Sequence, residues 1–542
     1  MDKNKEFKNI GNIKRELDLE NNIHKKTSKD IELPKLGKLI SDFIREIAVI
    51  LKKKDILFYR SDLRQVVEIG KIKHENDIID SVDKKNVFTG FIPVKPSRFI
   101  TLAERFFNPG HLLFDKDKNS FEFKQKSMNK DLANTILDSQ ILEDTLQNIS
   151  RIFTIPIPIF LGEKLTFPKR GYDKRFNSWL PFNAPKIDSN MEIAEGKKII
   201  NSILNEFCFE EEEDKTIAIA GLITPFLRGL YNKSNARTPV YIYMGNRERV
   251  GKDYLAGVNG ILYEEIAIEE PPLSDGKNKG DSDNELRKKI LSTLITGRKR
   301  LHFSNNKGYI NNAVFEQIIT TASYSDRQLG GNKILTFNNE LEFSLSGNVG
   351  ISFTPDLANR SRICRLFYDL EDTNARVFKN PDLHKWVLDN RSKILSAIYS
   401  IVKNWVEKGS PDGKVKFASF SEWARICGGI METAGYDSPC NSSKNILIIG
   451  GDIETADMKQ LFEFCYELKP EETISRNDIK TMVENAEEIF DYLDLKVRSD
   501  QTKFGLKLDK FIGRVLSEIR FKAVDTSGKR KNSHRYVFTK EL

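Results

Sequence analysis

The chain has 542 residues, of which 39% are hydrophobic and 30% charged, and its formal net charge is +8. This length exceeds one ordinary domain, and the apolar content excludes a chain that is disordered by composition. The sequence has no run of about 18 apolar residues, so we expect no membrane span and a cytoplasmic protein. The 5 cysteines have no C-x-x-C spacing, which argues against a structural zinc site or a disulfide framework.

The N-terminal third combines a charged tail with an α/β region. Residues 1–33 alternate lysines with acidic residues, which predicts a flexible tail. From residue 34 a helical stripe and then short β-like runs follow, and they extend to about residue 185. The stripe consists of Leu36, Leu39, Ile40, Phe43, Ile44, Ile47 and Leu51. The sequence does not indicate a role for this region.

A strand, a loop and a helix follow in the run PVYIYMGNRERVGKDYLAG, which begins at Pro239. The residues VYIYM are typical of a buried strand. Gly245 lets the chain leave the strand, Gly251 permits close approach of the backbone, and Lys252 supplies a cation for phosphate. We therefore predict an ATP site with the following residues: Gly245, Asn246, Arg247, Glu248, Arg249, Val250, Gly251, Lys252 and Asp253.

The loop departs from the pattern G-x-x-x-x-G-K-[ST] at two positions. Asn246 replaces the first glycine, and Asp253 replaces the Ser or Thr. Because a carboxylate is a good ligand for Mg²⁺, Asp253 is our candidate metal ligand. An ordinary surface turn is the alternative interpretation of this segment.

Polar residues follow the later predicted strands. An apolar strand leads to Ser304, Asn305 and Asn306, where an NTPase places its metal-coordinating and water-activating acids. The run NELEFSLSGN ends at Asn348, in the place of a side chain that senses the γ-phosphate. This order is typical of an AAA+ ATPase core.

Two further features belong to the same pattern. Arg360 and Arg362 lead into another strand, and either could be an arginine finger or an ordinary ion-pair partner. The strand-like runs around Gly330 and Gly331 predict a β-hairpin, and Lys333 follows its turn. In a ring enzyme a hairpin lysine would meet the phosphates of single-stranded DNA, whereas the alternative is a simple turn lysine.

The segment from Phe167 to Pro411 resembles the self-loading replicative helicases of staphylococcal mobile elements. The runs that carry the resemblance include GNRERVGKDYLAG, HFSNNKGYINNAVFE, SDRQLG, SLSGN and DLANRSRICRLF. The resemblance implies an MCM-like AAA+ core, a hexameric ring, 3′–5′ translocation and a C-terminal winged helix. It assigns these roles: Gly251 and Lys252 to the phosphate loop, Asn348 to the first sensor, Arg360 or Arg362 to the arginine finger, and Lys333 to the DNA-facing hairpin.

The acidic residue that this family has after the middle strand is absent, because Ser304, Asn305 and Asn306 are uncharged. Asp253 is one replacement, and Glu285 is our candidate for an acid from elsewhere in the chain. A third alternative is a site that binds ATP and turns it over poorly. Asn305 and Asn306 stay among the candidate catalytic residues.

The C-terminal run FKAVDTSGKRKNSHRYVFTKEL has 6 Lys and Arg residues against 2 acidic ones. We predict a winged-helix tip that contacts DNA phosphates, with a solvated charge run as the alternative. The residues of this predicted contact are Lys529, Arg530, Lys531 and Arg535.

The sequence thus predicts a multidomain α/β protein. Its predicted parts are a tail (1–33), an N-terminal α/β region (34–185), a three-layer αβα AAA+ domain with lead-in helices (186–440) and a winged-helix domain (441–542). The resemblance implies an ATP- and Mg²⁺-dependent replicative DNA helicase of a mobile genetic element, a homo-hexamer that binds single-stranded and duplex DNA. A replication initiator or ATP switch with a degenerate ATPase and no unwinding is the alternative. Element-encoded replication proteins, including a polymerase, are left open as partners.

Overall fold

The structure is a computed structural model. It describes residues 29–73, 87–231, 236–273, 279–328, 333–348, 351–368, 380–441, 453–484, 495–513, 515–516, 519–524 and 535–540. Apolar side chains of these residues form an N-terminal core, a core on each face of a central sheet, and a C-terminal core. Within the described ranges, no helix is long and apolar enough to cross a membrane.

The N-terminal region folds around its own core. Its helices are α1 (Ile40–Lys52), α2 (Pro96–Ala103), α3 (Lys130–Leu137) and α4 (Gln140–Thr145). Its strands are β1 (Asp30–Glu32), β2 (Leu57–Arg60), β3 (Gln65–Lys73), β4 (Val87–Pro93), β5 (Asn108–Asp115), β6 (Ser120–Gln125) and β7 (Gln147–Asn148). They form one sheet of order β1-β5-β6 and another of order β4-β3-β2-β7. Because β1 pairs with β5, regular structure begins inside the segment that the sequence predicts to be a tail.

Helix α1 confirms only part of the predicted stripe. The stripe positions from Phe43 onward are buried in the N-terminal core, as helical spacing requires. Leu36, Leu39 and Ile40 are exposed instead. The prediction is wrong for these three. The helix begins at Ile40, so Leu36 and Leu39 precede it, and Ile40 is its exposed first residue.

A segment of short strands joins this region to the central sheet. It contains β8 (Arg151–Ile152), β9 (Ile159–Leu161), β10 (Lys164–Thr166), β11 (Gly171–Asp173) and β12 (Ser178–Leu180). The turn between β11 and β12 includes Asn177 with a φ of 44°. This turn lies beside the sheet of β2 and β7, since the Tyr172 hydroxyl donates to the backbone carbonyl of Asn148.

The central region contains a sheet of order β14-β18-β13-β20, and all of its strand pairs are parallel. The strands of the region are β13 (Val240–Gly245), β14 (Arg300–Asn306), β15 (Tyr309–Ile310), β16 (Ser323–Arg327), β17 (Ile334–Asn338), β18 (Glu342–Asn348), β19 (Ser352–Phe353) and β20 (Ser361–Leu366). The helices are α5 (Ile193–Leu204), α6 (Glu212–Ile223), α7 (Lys252–Glu264), α8 (Lys279–Thr296), α9 (Ala313–Ile318), α10 (Pro355–Asn359), α11 (Leu383–Asp389), α12 (Arg391–Glu407) and α13 (Ser421–Thr433). Short 3-10 helices cover Thr224–Gly229 and Ala418–Phe420.

Strand β13 shows why this sheet is buried on both faces. Its alternate residues Tyr241 and Tyr243 join the core that contains α5, α6, α7, α12 and α13. Val240, Ile242 and Met244 join the opposite core, which contains α8, α9 and α10. Side chains of a strand alternate between the faces, so an all-apolar strand requires helices on both sides. The predicted buried strand is confirmed.

Strands β16 and β17 pair antiparallel from Ser323–Asn338 to Arg327–Ile334, so the predicted hairpin is confirmed. Its turn, residues 329–332, lies outside the described residues. Strand β17 leads directly into β18 of the central sheet, and this connection joins the hairpin to the strand that ends at Asn348.

The C-terminal region contains α14 (Ile453–Leu468), β21 (Ile474–Ser475), α15 (Arg476–Glu484), α16 (Arg498–Phe511), β22 (Val515–Leu516), β23 (Ile519–Val524) and β24 (Arg535–Lys540). Its sheet has the order β21-β24-β23-β22. Phe521 stacks on Phe538 at 4.8 Å and on Tyr536 at 4.9 Å, and the three rings form the centre of this core. The β-like character predicted for the C-terminal run is confirmed by the pairing of β23 with β24.

Candidate nucleotide-binding site

The predicted phosphate loop begins at the carboxyl end of β13. Gly245 pairs with Asn348 on one side and with Leu366 on the other, so the loop leaves the middle of the sheet. A Cβ atom at Gly245 would lie 2.4 Å from a methyl group of Val250, and only glycine fits there. Arg249 and Gly251 have φ values of 60° and 97°, which curl the chain back before α7. Curled backbone of this kind, followed by a helix N-terminus, presents N–H groups to an anion.

Asn246 occupies the position of the missing first glycine and has a structural task. Its amide nitrogen donates to the backbone carbonyl of Tyr368 over 3.0 Å, and its amide oxygen accepts from the Tyr368 N–H over 3.1 Å. The loop is thereby attached to the chain that follows β20. This pair of bonds explains why an asparagine can replace the glycine.

Lys252 and Asp253 begin α7 and lie against each other. The Lys252 side chain is 8% exposed, and its Nζ lies 3.4 Å from Oδ2 of Asp253. The other oxygen of Asp253, Oδ1, accepts a hydrogen bond from the Ser346 hydroxyl on β18. Burial opposes ionisation of Asp253, but contacts with His302 and Ser346 and the charge of Lys252 outweigh it and lower its pKa to about 2. The site therefore holds a carboxylate beside the loop lysine.

His302 is a member of this cluster that sequence reasoning missed. Its Nε2 lies 3.5 Å from Oδ1 of Asp253, and its Nδ1 is 2.9 Å from the Ser344 hydroxyl oxygen. Both strands that carry these residues, β14 and β18, are neighbours in the sheet. The only sequence signal for His302 is that a polar residue stands between two apolar ones, Leu301 and Phe303, in β14. This signal does not distinguish a site residue from an ordinary strand residue.

Asn305 and Asn306 differ sharply in their surroundings. Asn305 is exposed and has a φ of 54°, so its side chain faces solvent at the end of β14. Asn306 is 1% exposed, and its amide bonds to the backbone of Leu273, Phe303 and Ser346. Asn306 thus ties the end of β14 to its neighbours, and its side-chain oxygen is occupied by a backbone N–H.

Asn348 lies beside the loop. It ends β18 opposite Gly245, and a Cβ atom at Gly245 would be 3.8 Å from its side-chain oxygen. That oxygen is buried and has no hydrogen-bond partner among the described residues. A buried polar atom without a partner is uncommon, and a ligand in the loop would give it one.

Arg360 and Arg362 lie at the amino end of β20, which is the opposite edge of the parallel sheet from the loop. Arg360 pairs with Asp356 at 2.7 Å and donates to the backbone carbonyl of Glu316 over 3.1 Å. Arg362 is 2% exposed, and its guanidinium lies 3.7 Å from the ring centre of Phe417. The guanidinium of Arg362 is thus enclosed within its own chain, whereas the Arg360 side chain is half-buried.

Glu285 is on the surface of α8. Its side chain is 62% exposed, and its described ion pair is with Lys288 on the same helix. None of its described contacts joins it to Lys252 or Asp253. Among the described residues there is also no group of three or more His, Cys, Asp and Glu side chains that could hold a metal ion. Mg²⁺ in nucleotide sites uses one or two protein ligands besides phosphate oxygens, and Asp253 fits that requirement.

The predicted DNA-contacting residues fall in two places. Lys333 donates to the backbone carbonyl of Leu63 in the N-terminal region, and burial followed by the nearby charge of Arg64 lowers its pKa. Arg535 begins β24 and is exposed. Lys529, Arg530 and Lys531 lie outside the described residues.

Arg391 begins α12 and is an ion-pair partner of Glu265. It donates to the Leu262 carbonyl over 2.9 Å and to Glu265 over 2.7 Å. These contacts satisfy the C-terminal end of α7, the helix whose N-terminus carries Lys252.

Comparisons with known proteins give only distant similarities. No family model and no curated protein matches the sequence. A solved structure described as the A form apo structure of the NrS-1 C-terminal region is 12% identical, with 91% of this chain and 98% of that chain covered, at a TM-score of 0.39. Another, described as SCCmec type IV Cch, active helicase, is 10% identical, with 90% and 92% covered, at a TM-score of 0.33. Similarities this low leave the function to be inferred from the site.

Proposed function

We propose that this protein is an ATP-dependent DNA helicase of the AAA+ type that works as a homo-hexameric ring in the replication of a mobile genetic element. The observation that carries the proposal is the cluster at the carboxyl edge of the central sheet. There Gly251, Lys252, Asp253 and Asn348 come together from a loop, a helix N-terminus and a neighbouring strand.

The order of the sheet supports an AAA+ core. The loop strand β13 lies between β18, which ends in the candidate sensor, and β20, which follows the candidate arginine finger. Helices cover both faces. The C-terminal succession of helix, short strand, helices and hairpin supports the winged-helix interpretation.

Each residue of the site has a proposed task. The loop N–H groups and Lys252 hold the phosphates of ATP, and Asp253 supplies a carboxylate oxygen to Mg²⁺, which would polarise the terminal phosphate. His302 and Ser346 orient Asp253. Asn348 donates or accepts a hydrogen bond near the attacking water. Lys252 and Asp253 neutralise each other, and ATP with Mg²⁺ would give the lysine a phosphate partner and the aspartate a metal partner.

Arg360 is the proposed arginine finger. Its position at the edge opposite the loop excludes contact with the nucleotide of its own subunit, since β13 has six residues and a strand rises about 3.3 Å per residue. A neighbouring subunit could receive it after the Asp356 pair opens. Translocation in the 3′–5′ direction, with Lys333 on the moving hairpin and Lys529, Arg530, Lys531 and Arg535 on duplex DNA, belongs to the same proposal.

A specific observation favours a second candidate function. β14 ends in Asn305 and Asn306, and the amide of Asn306 is consumed by backbone bonds. None of the described residues at the end of β14 is acidic, so this strand supplies no general base for hydrolysis. A replication initiator or ATP switch that binds ATP and DNA without unwinding would use the same loop.

The two functions are separated by ATP hydrolysis and strand displacement measured on the same preparation. The helicase proposal expects hydrolysis that single-stranded DNA stimulates, together with displacement of a strand from a forked duplex. ATP binding without stimulated turnover and without displacement would reject the helicase and favour the switch. If gel filtration with ATP present shows no hexamer, the proposed ring is rejected.

A further inference from the structure

A groove lies at the amino edge of the central sheet, away from the nucleotide site. Its volume is about 520 Å³. One wall is formed by the turns at Asn148–Arg151 and Arg175–Asn177, and the other by β17 of the hairpin and by the segment before β14. The groove therefore lies where the N-terminal region, the hairpin and the sheet meet.

Cations line this groove in excess. The lining contains Arg60, Arg151, Arg175, Arg298 and Lys299, and its acidic members are Asp62 and Glu340. Arg60 is bound to Asp62 through two hydrogen bonds. Arg175 is paired with Asp173 and Arg298 with Glu264, and both of these acids lie outside the lining. Arg151 and Lys299 converge on the single carboxylate of Glu340.

The charge excess continues beneath the groove. Arg228 pairs with Glu342 at 3.1 Å, and burial followed by the charge of Arg228 lowers the pKa of Arg237 to about 9. Burial, with Arg151 and Arg228 nearby, also lowers the pKa of Lys299. Lys299, Arg151 and Arg228 lie near Glu340, and Arg228 is also paired with Glu342. Excess positive charge in a partly desolvated place is costly without an anion.

The groove also carries groups suited to nucleotides. Asn148, Asn177 and Asn338 are exposed on its walls, and each amide can donate to a phosphate oxygen or a base edge. Phe176 is half-buried beside Arg175, whose guanidinium lies 5.0 Å from its ring centre. Cations that follow a backbone, together with an aromatic face, are the usual features of single-strand binding.

We infer that this groove binds the phosphodiester backbone of single-stranded nucleic acid, through Arg151, Lys299, Arg175 and the surrounding asparagines. The inference rests on the proposed helicase function and adds a DNA contact beside those of Lys333 and the C-terminal tip. Because Thr336, Phe337 and Asn338 of β17 line the groove, a strand bound there touches the base of the hairpin that precedes β18. Nucleic acid is favoured over free phosphate because the lining cations come from four separate segments, at Arg60, Arg151, Arg175 and Arg298–Lys299, and a polymer can contact more than one of them at once.

The test introduces negative charge into the groove without removing any bond. In Asn148→Asp/Asn177→Asp both side chains are exposed, and an aspartate at 177 keeps the oxygen that accepts from the Tyr172 hydroxyl. Asn119→Asp/Asn190→Asp is the matched control, since both residues are exposed, lie elsewhere, and include one position with positive φ. Binding of labelled oligo(dT) is measured by fluorescence anisotropy without nucleotide at two salt concentrations, beside thermal unfolding.

We expect the groove variant to bind oligo(dT) about fivefold more weakly or worse, with a smaller salt slope, and the control variant to bind like wild type. Equal affinity of the groove variant and wild type overturns the inference. The inference is also overturned if inorganic pyrophosphate displaces oligo(dT) from the wild-type protein equally well at every oligonucleotide length. That result would identify a site for free phosphate. If the groove variant unfolds at a lower temperature than wild type, oligo(dT) affinity is compared between Arg151→Gln and wild type instead. This variant removes one groove cation and keeps the Lys299–Glu340 ion pair.

The outcome is separate from that of the proposed function. Oligonucleotide binding without nucleotide does not depend on ATP turnover. If the wild-type protein hydrolyses no ATP and the groove variant binds oligo(dT) more weakly than wild type, the helicase proposal is overturned. The nucleic-acid site in the groove is then retained.

Discussion

The two edges of the central sheet differ in how their charged residues are assembled. At the carboxyl edge, Lys252 and Asp253 are consecutive in sequence and sit on one loop and helix. At the amino edge, Arg151, Arg228, Lys299 and Glu340 come from segments far apart in the chain and meet only through the fold. At the first edge a contiguous loop motif forms the centre, and the neighbouring strands add His302, Ser346 and Asn348. The cluster at the second edge contains no such contiguous motif.

This difference has a physical consequence for each edge. A loop that binds phosphate needs closely spaced N–H groups and one cation, so its requirements are met by neighbouring residues. A groove that follows a polymer needs charges spaced over many ångströms, which distant segments supply. The carboxyl edge should therefore respond to single substitutions as a unit, and the amino edge should respond by degrees.

The largest effect is expected from Asp253→Ala. If Asp253 holds Mg²⁺ at the carboxyl edge, its loss should abolish Mg²⁺-dependent ATP hydrolysis, whereas Asn305→Ala should be milder because that side chain faces solvent. The measurement is ATP turnover across a Mg²⁺ titration. Equal turnover of Asp253→Ala and wild type would show that the metal ligand lies elsewhere.

Arg360→Ala should have the next largest effect, because the arginine is proposed to act on the ATP of a neighbouring subunit. An arginine finger is worth about 10³-fold or more in rate. Mutant subunits mixed into wild-type rings should lower activity more than their fraction predicts, since each one disables its neighbour. Arg425→Ala, a surface arginine paired with Asp412, is the control. A strictly linear loss for Arg360→Ala would contradict action in trans.

At the amino edge the expected effect is on stability. Glu340→Gln leaves Arg151 and Lys299 without their shared carboxylate, which should cost about 3–5 kcal/mol of unfolding free energy. Glu472→Gln removes an exposed partner of Lys469 and should cost less than about 1 kcal/mol. Urea unfolding of both variants checks this. Similar small losses would mean that the cluster at this edge is solvated.

The smallest effect is expected in the pH dependence of the stability that Glu340 provides through its ion pairs with Arg151 and Lys299. Burial opposes ionisation of Glu340, but Lys299, Arg151 and Arg228 outweigh it and lower its pKa from 4.5 to about 2. A carboxylate with a lowered folded-state pKa stabilises the protein above its unfolded pKa, and this contribution is lost as the pH falls toward the folded value. The stability gap between wild type and Glu340→Gln should be full at neutral pH and shrink below about pH 4.5. A gap that is constant with pH would contradict the ion-pair origin.

The sequence predicted the parts of the fold that depend on local pattern. The buried strand β13, the hairpin β16–β17 and the paired strands β23 and β24 follow from apolar runs or turn residues. The order of the predicted strands indicates Asn348, and its position opposite Gly245 comes from the pairing of β13 with β18. Strand β13 is predictable because a short, continuous apolar run is typical of a buried strand.

The parts that were missed depend on long-range contacts. His302 cannot be recognised from the sequence because nothing local shows that Asp253 lies near it in the fold. The burial of Arg362 cannot be predicted either, because it depends on Phe417, more than fifty residues later in the chain. The exposed Leu36 and Leu39 carry the right spacing, but the helix begins after them.

ATP turnover of Lys252→Ala tests the proposed nucleotide site most directly. Lys252 is the buried cation at the N-terminus of α7, so its loss should abolish ATP hydrolysis and strand displacement while thermal unfolding stays close to wild type. Lys116→Ala, which removes an exposed lysine of the N-terminal region, should retain both activities. Hydrolysis and displacement by Lys252→Ala at the wild-type rate would contradict the assignment of this loop as the ATP site.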